Sequence, residues 1–417
     1  MRAGTACSET PMLSATPRPD PPLPLPEDDT PTMVAVSGGV DSAVALMRLV
    51  EAGVPVQAMF MKNWEEDDRD GYCAAAEDLA DAERVCERLG VPLHAVNCSD
   101  AYWDRVFSRF IRDIERGTTP NPDVLCNREV KFAAFVDHAR RLGAERVATG
   151  HYARIDHRAG APRLLKGADP AKDQSYFLHA LDRPQIERAL FPLGDLDKPA
   201  VRTLAREAGL APHDKPDSTG ICFIGEHRFR SFLARFVDPA PGPIETMDGT
   251  RIGEHPGLAF FTIGQRRGLG IGGRRDRAPA RWYVAAKDHA RNALVVVQGH
   301  DHPALLSRRL RVGDMHWIAG GAPPLPLRCA AKIRYRQADQ ACTARPDERG
   351  GDTLELHFDR PQWAAAPGQY AVLYDGEECL GGGVIEGAVS DSTGAGMSRD
   401  GRLPAGRSTR EASSDLE

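Results

Sequence analysis

A chain of 417 residues, 41% hydrophobic and 27% charged with a formal net charge of −6, is long enough for two or three domains with cores of their own. It has no stretch of about 18 apolar residues and no basic-then-apolar leader, which argues against a membrane or secreted protein and predicts a cytoplasmic one with no membrane partner. Its nine cysteines, Cys7, Cys73, Cys86, Cys98, Cys126, Cys222, Cys329, Cys342 and Cys379, form no Cys-x-x-Cys pair. A zinc ribbon and a disulfide framework are therefore disfavoured, and no metal-ligand set is read.

Residues 1–30 hold seven prolines between Pro11 and Pro26 and end in Glu27-Asp28-Asp29; both they and 388–417 are predicted to be disordered. With six basic and ten acidic residues set aside in these tails, 31–387 carries 47 basic against 49 acidic residues, a net −2. Any nucleic-acid binding must then come from local patches.

From Thr32 onward, strand and helix patterns alternate. The spacing predicts strands over 34–36, 54–61, 91–96 and 147–149, and helices over 42–51, 75–89, 100–116 and 128–142, with Cys86 on the apolar stripe of Leu79, Ala82, Val85 and Leu89. This is the pattern of an open parallel sheet covered by helices, which binds ligands beyond the carboxyl ends of its strands. After Phe223 glycines and short β runs take over, including 259–263, 282–285, 293–297, 354–358 and 371–373, as in small β domains or a barrel. The predicted organisation is a catalytic α/β domain at 31–227, a central domain at 228–298 and a C-terminal β-barrel-like domain at 299–387.

The first strand runs into Ser37-Gly38-Gly39-Val40-Asp41-Ser42. Two glycines permit a sharp turn and close approach to an anion, the next helix points free N–H groups and its positive end there, and Ser37 and Ser42 offer hydroxyls. No Lys follows as in a Walker loop, and no Gly-x-Gly-x-x-Gly is present. The segment resembles the PP-loop of the ATP pyrophosphatases, which implies ATP cleavage between the α and β phosphates; Asp41, poorly placed beside bare phosphates, is expected to act through Mg²⁺. Met61 and Gly150, at ends of the second and fourth strands, are candidates for flanking the adenine, though packing accounts for them equally well.

Two cysteines stand in turn-rich surroundings. Cys126 follows Thr118-Thr119-Pro120-Asn121-Pro122-Asp123, whose prolines are expected to hold off helix until about Arg128, leaving the thiol near a helix start with Lys131 a turn on. Cys222 follows Asp217-Ser218-Thr219-Gly220. With Met61-Lys62-Asn63-Trp64, Ala148-Thr149-Gly150-His151-Tyr152, Lys172-Asp173-Gln174-Ser175-Tyr176-Phe177, Gly264-Gln265-Arg266-Arg267-Gly268, Arg334-Tyr335-Arg336-Gln337 and Pro367-Gly368-Gln369, these segments, in order from about 32 to 387, closely resemble the bacterial tRNA-specific 2-thiouridylases.

That resemblance implies ATP-dependent 2-thiolation of the wobble uridine of tRNA, in which the C2 oxygen is adenylated and sulfur then displaces AMP. It makes Cys126 the nucleophile and Cys222 the persulfide carrier, with a transient Cys126–Cys222 disulfide if hydrosulfide is released, and direct attack by the persulfide as the alternative. It places ATP against Ala35, Val36, Ser37, Gly38, Gly39, Val40, Asp41, Ser42, Met61 and Gly150, and the target base against Asn121, Pro122 and Asp123, with Asp123 a possible acid or base. It assigns His151, Lys172, Asp173, Gln174, Arg334, Tyr335 and Gln369 to tRNA contacts and implies a sulfur-donor protein, either a cysteine desulfurase or a relay protein. Two basic stretches, Arg266, Arg267, Arg274, Arg275, Arg277 and Arg281 and then Arg328, Lys332, Arg334 and Arg336, suit an RNA surface. The rival readings are a PP-loop ligase or amidotransferase, which has no need of two loop cysteines, and a non-catalytic RNA-binding protein.

Overall fold

The structure is a computed structural model that describes residues 30–64, 74–157, 160–216, 229–271 and 281–389. Both tails, Cys222 with the segment around it, and Arg274, Arg275 and Arg277 lie outside the described residues.

The first domain is built on a five-stranded, all-parallel sheet. Strand β1 (Thr32–Val36) pairs with β2 (Val56–Lys62) on one side and β4 (Arg146–Ala148) on the other; β3 (Leu93–Asn97) and Ala189–Leu190 form the edges. Side chains alternate across the pleat. Val34, Val36, Ala58 and Phe60 pack under helices α1 (Val40–Glu51) and α2 (Ala74–Leu89), whereas Met33, Met59 and Val147 pack under Phe132, Phe135 and Val136 on the other face. Gly53, at φ +75°, closes α1 where the strand signal resumes. Cys86 packs among Ala82 and Val85, and burial pushes its thiol up to about 11.

One expectation fails next to the first candidate cysteine. Helix begins at Pro122, not near Arg128: Pro122–Leu125 is α-helical, Cys126–Ala134 continues with wider turns and Phe135–Arg141 completes it. Proline lacks only an N–H that the first helical residue leaves unpaired anyway, and Asn121 caps the end by accepting from the Asp123 amide at 3.1 Å. Asn-Pro-Asp is thus a helix start, and Cys126 sits one turn inside it.

The central domain has a four-stranded sheet in the order Trp282–Asp288, Ala293–Gln298, Gly242–Thr246, Arg251–His255. The predicted strand at 259–263 is absent. Leu258–Phe260 is a single 3₁₀ turn, and Leu258 and Phe261 fill the core beside Ile244 and Val284. The C-terminal domain is a closed six-stranded barrel, since Leu306–Trp317 pairs with both Leu354–Trp363 and Glu378–Ala388. Its outer sheet continues into the first domain, because Leu165 of the hairpin Ala153–Asp156/Arg163–Lys166 pairs with Glu378. All six cysteines among the described residues are buried.

Candidate active site

The glycine loop lies at the carboxyl edge of β1. Gly38 adopts φ +73°, and a Cβ there would fall 2.2 Å from the backbone oxygen of Asp78, so the loop is seated directly on α2. Gly39 is the extended N-cap of α1, and no side chain caps that helix end. Its first amides are thus left for an anion. The two serines divide their roles. Ser42 is buried; its Oγ accepts from the Ser37 amide at 3.1 Å and donates to the Gly39 carbonyl at 3.0 Å, which braces the loop from within. Ser37 is exposed, and its hydroxyl lies 3.2 Å from that of Ser42. Ala35 is half-buried, while Val36 and Val40 are core residues.

Asp41 does not stand alone. Lys198 reaches both of its carboxylate oxygens, at 2.7 and 2.8 Å, and the Tyr152 hydroxyl donates to one of them at 2.7 Å. Lys198 is buried at the start of helix Lys198–Glu207, which Asp197 caps through the Ala200 amide. A second lysine, Lys215, donates to the Gly38 carbonyl at 3.2 Å and pairs with Asp78 and Asp81 at 2.6 Å each. Two lysines from distant parts of the chain, both ion-paired, thus bind the loop where its sequence carries no cation.

Gly150 is a contact residue of the loop's own backbone. A Cβ there would lie 2.8 Å from both the Asp41 carbonyl carbon and the Ser42 nitrogen. Gly150→Ala is expected to push the loop out of place at the cost of an overpacked core, about 1–3 kcal/mol. Denaturant unfolding and pyrophosphate release, both measured on the variant, should fall together. Met61, at the end of β2, packs against two clusters, one of which contains Cys126.

The residue after Gly150 links the loop to the cysteine helix. His151 is buried, its Nδ1 2.7 Å from the Thr149 hydroxyl; burial, and then the charge of Lys131, holds it well below the ordinary histidine range. The imidazole is neutral. Lys131 also acts on Asp123, whose carboxyl is pushed up by burial and pulled back in part by that lysine. Cys126 lies three residues beyond Asp123, in a cluster with Trp64, Phe107, Leu125 and Phe232 rather than in the polar loop anticipated. Beside it, the Oδ1 of buried Asn127 has no hydrogen-bond partner among the described residues, while its Nδ2 donates to the Phe177 carbonyl at 3.4 Å.

The residues assigned to tRNA contacts are placed unevenly. Lys172 is half-buried, and its carbonyl faces the Tyr335 hydroxyl at 3.5 Å. Asp173 cannot read base edges from where it lies: it is buried, accepts from the Gly167 and Ser175 amides at 3.1 Å each and pairs with Lys332 at 2.9 Å. Gln174 accepts from the Tyr152 amide. Arg334 is spent on the carbonyls of Trp363 and Ala364 and lies over the Trp363 ring. Arg328 forks onto Asp359. The second basic stretch is thus largely paired within the chain; Arg336, over the Tyr335 ring, and Arg328, with its surface partner Asp359, are its exposed members. Arg266, Arg267 and Arg281 are exposed on the central domain.

A parallel-sheet domain with a glycine loop at the carboxyl edge of its strands, whose helix end carries no side-chain cap, followed by two appended β domains, defines a PP-loop protein with accessory domains. Residues 30–226 match the family described as tRNA methyl transferase HUP domain, 230–298 the tRNA methyl transferase PRC-barrel domain and 307–385 the aminomethyltransferase β-barrel domain. The chain is 55% identical to the tRNA-specific 2-thiouridylase MnmA of Alkalilimnicola ehrlichii, over 85% of this chain and 96% of that one. It is 53% identical to that of Burkholderia pseudomallei, over 89% and 97%. A 4-thiouridine synthetase–RNA complex with bound ATP aligns at 18% identity and a TM-score of 0.31 over half of each chain, too distant to carry an argument.

The chain belongs to the tRNA-specific 2-thiouridylase family. The domain descriptions speak of methyl transfer, but the relatives matched over nearly their whole length are thiouridylases, and whole-chain identity above one half carries the greater weight.

Proposed function

We propose that this chain uses ATP to replace the C2 oxygen of the wobble uridine of tRNA with sulfur. The observation that carries the reading is the continuity of the site: Gly150 lies on the backbone of Asp41 and Ser42, His151 follows it, and Lys131 acts on both His151 and Asp123, three residues before Cys126. On this reading the nucleotide cradle and the thiol serve one site.

The cradle fits ATP: the amides at the start of α1 carry no side-chain cap, Ser37 is exposed, and Lys198 and Lys215 bind the loop. ATP supplies AMP, a good leaving group, in place of a carbonyl oxygen that is a very poor one. The Mg²⁺ expectation fits less well. It supposed an unaccompanied Asp41, whereas that carboxylate already holds Lys198 and Tyr152, so no step is derived through a metal. The unpartnered Asn127 oxygen, an acceptor, suits the N3–H of a uridine and not the bare N3 of a cytosine.

Sulfur arrives on Cys222 as a persulfide from a donor protein, a cysteine desulfurase or a relay protein of the same compartment as tRNA, the cytoplasm. The Cys126 thiolate attacks the Cys222 sulfur, the S–S bond to the terminal sulfur breaks, and hydrosulfide leaves next to the activated carbon while Cys126 and Cys222 become joined; a reductant reopens them. Asp123 and Asn121 hold the base, and Lys172, Tyr335 and Arg336 face the RNA. Incubating the purified chain with tRNA, ATP and a persulfide donor should give pyrophosphate and 2-thiouridine by nucleoside mass spectrometry in equal amounts. Pyrophosphate without thiouridine would favour the ligase reading, and neither product the RNA-binding one.

Asp123 allows a second check. A carboxyl whose folded pKa lies above its unfolded value favours folding most below the unfolded pKa, and that contribution is lost as pH rises through the folded value. Ionising the buried Asp123 as pH rises therefore costs the fold stability. Asp123→Asn is expected to raise Tm at pH 7, with the gap closing in acid, and to halt thiolation.

A further inference from the structure

Gly117 to Thr119, one residue short of the base-binding segment, are held by both β domains at once. The Lys287 ammonium, half-buried on the central domain, donates to the Gly117 carbonyl at 3.1 Å. Gly117 has φ +84°, and a Cβ there would lie 1.8 Å from the ring of His289, so that ring covers it closely. The Thr119 hydroxyl lies 3.4 Å from that of Thr262, again on the central domain. From the barrel, the Pro367 carbonyl accepts from the Thr119 amide at 2.7 Å, and the Gln369 side-chain amide donates to the Thr119 carbonyl at 2.7 Å. Gly368, at φ +92°, comes so close that a Cβ would fall 2.8 Å from the Thr119 nitrogen. Asn121, which caps the helix of Asp123 and Cys126, is two residues further on.

We propose that Gly117–Thr119 is a latch through which the central domain and the barrel set the position of the base-binding helix start, with Lys287 and Gln369 as its positioning residues. A proline at 120 and a proline at 122 stiffen the connection, so displacement at Thr119 is passed on to Asn121 rather than absorbed between them. Gln369, on this account, acts on tRNA through the loop: its amide is already committed to Thr119. The inference rests on the thiolation reading of the site and adds that the two β domains are needed for its geometry as well as for holding RNA.

The test uses the full chain with Gln369→Glu, which keeps size but replaces the donor by an acceptor facing a carbonyl, with Lys287→Met, and with both. Three quantities separate the outcomes: kcat for thiolation, Kd for tRNA, and hydrogen exchange of the amides of 122–134. The latch predicts that each variant lowers kcat about 10-fold or more with Kd within 2-fold, and speeds exchange over 122–134 while the β1 and β2 amides are unchanged. Because both residues act on one segment, the double variant should lose less than the product of the single losses. Kd weakened in step with a shallower salt dependence, with exchange unaltered, would make these residues RNA contacts and overturn the latch. So would an unchanged kcat. Failure of the thiolation reading would appear instead as no 2-thiouridine from the unaltered chain, while the exchange result would stand or fall independently.

Discussion

Cys126→Ser is expected to lower 2-thiouridine formation by at least about 10³-fold, as removal of a nucleophile commonly does, while tRNA-dependent pyrophosphate release stays within a few-fold of the unaltered chain. The separation follows from where the two chemistries sit. Ser37, Gly39, Asp41, Lys198 and Lys215 form the cradle at the end of β1. Cys126 lies with Trp64, Phe107 and Phe232 in a separate cluster, against which Met61 packs. A hydroxyl at 126 fills nearly the same space, so the helix Pro122–Leu125 and its continuation should remain folded and activation of the oxygen should proceed. Pyrophosphate release that vanished together with thiouridine would mean that the thiol is required before sulfur transfer. Full thiolation by the variant would leave direct attack by the Cys222 persulfide in its place.

Lys198→Met is expected to have the complementary effect, cutting pyrophosphate release and thiolation together by about 10²-fold to 10³-fold, the usual result of removing one preorganised electrostatic contact. Its ammonium holds both oxygens of Asp41, and the loop places that carboxylate in the first turn of α1. Without the lysine, Asp41 keeps the Tyr152 hydroxyl but loses its counter-charge, and its negative charge then opposes an incoming polyphosphate. The loss should appear chiefly in the apparent affinity for ATP, with Kd for tRNA unchanged. Lys198→Arg keeps the charge but not the compact ammonium and should recover only part of the activity.

The parts of this account that were legible in the sequence are the local ones. Ser37 to Ser42 could be read because the strand, the two glycines and the helix that make the cradle are contiguous, and the alternation up to Ala148 fixed the order of elements without any long-range information. Lys198 escaped notice because its partner Asp41 is 157 residues away. One signal was available: a lysine at the first position of a helix sits at the wrong end of the dipole, and it is tolerated where an anion faces it. The same distance concealed the pairing of Lys332 with Asp173, 159 residues apart, which turned two expected RNA contacts into a buried strut. Pro122 was misjudged for the opposite reason, a local rule applied one residue too broadly, since proline ends a helix from within but starts one readily. The joining of the 163–166 strand to the barrel left no trace in periodicity, because pairing partners across domains are set by packing.

Trapping the two sulfurs tests the central claim most directly. A single turnover of the full chain, with persulfide loaded on Cys222, ATP and tRNA supplied and reductant withheld, should leave one peptide pair linked through Cys126 and Cys222 for each 2-thiouridine formed, with no such link in Cys126→Ser. Thiouridine formed with both thiols still separately alkylated would contradict the proposed attack of Cys126 on the Cys222 persulfide.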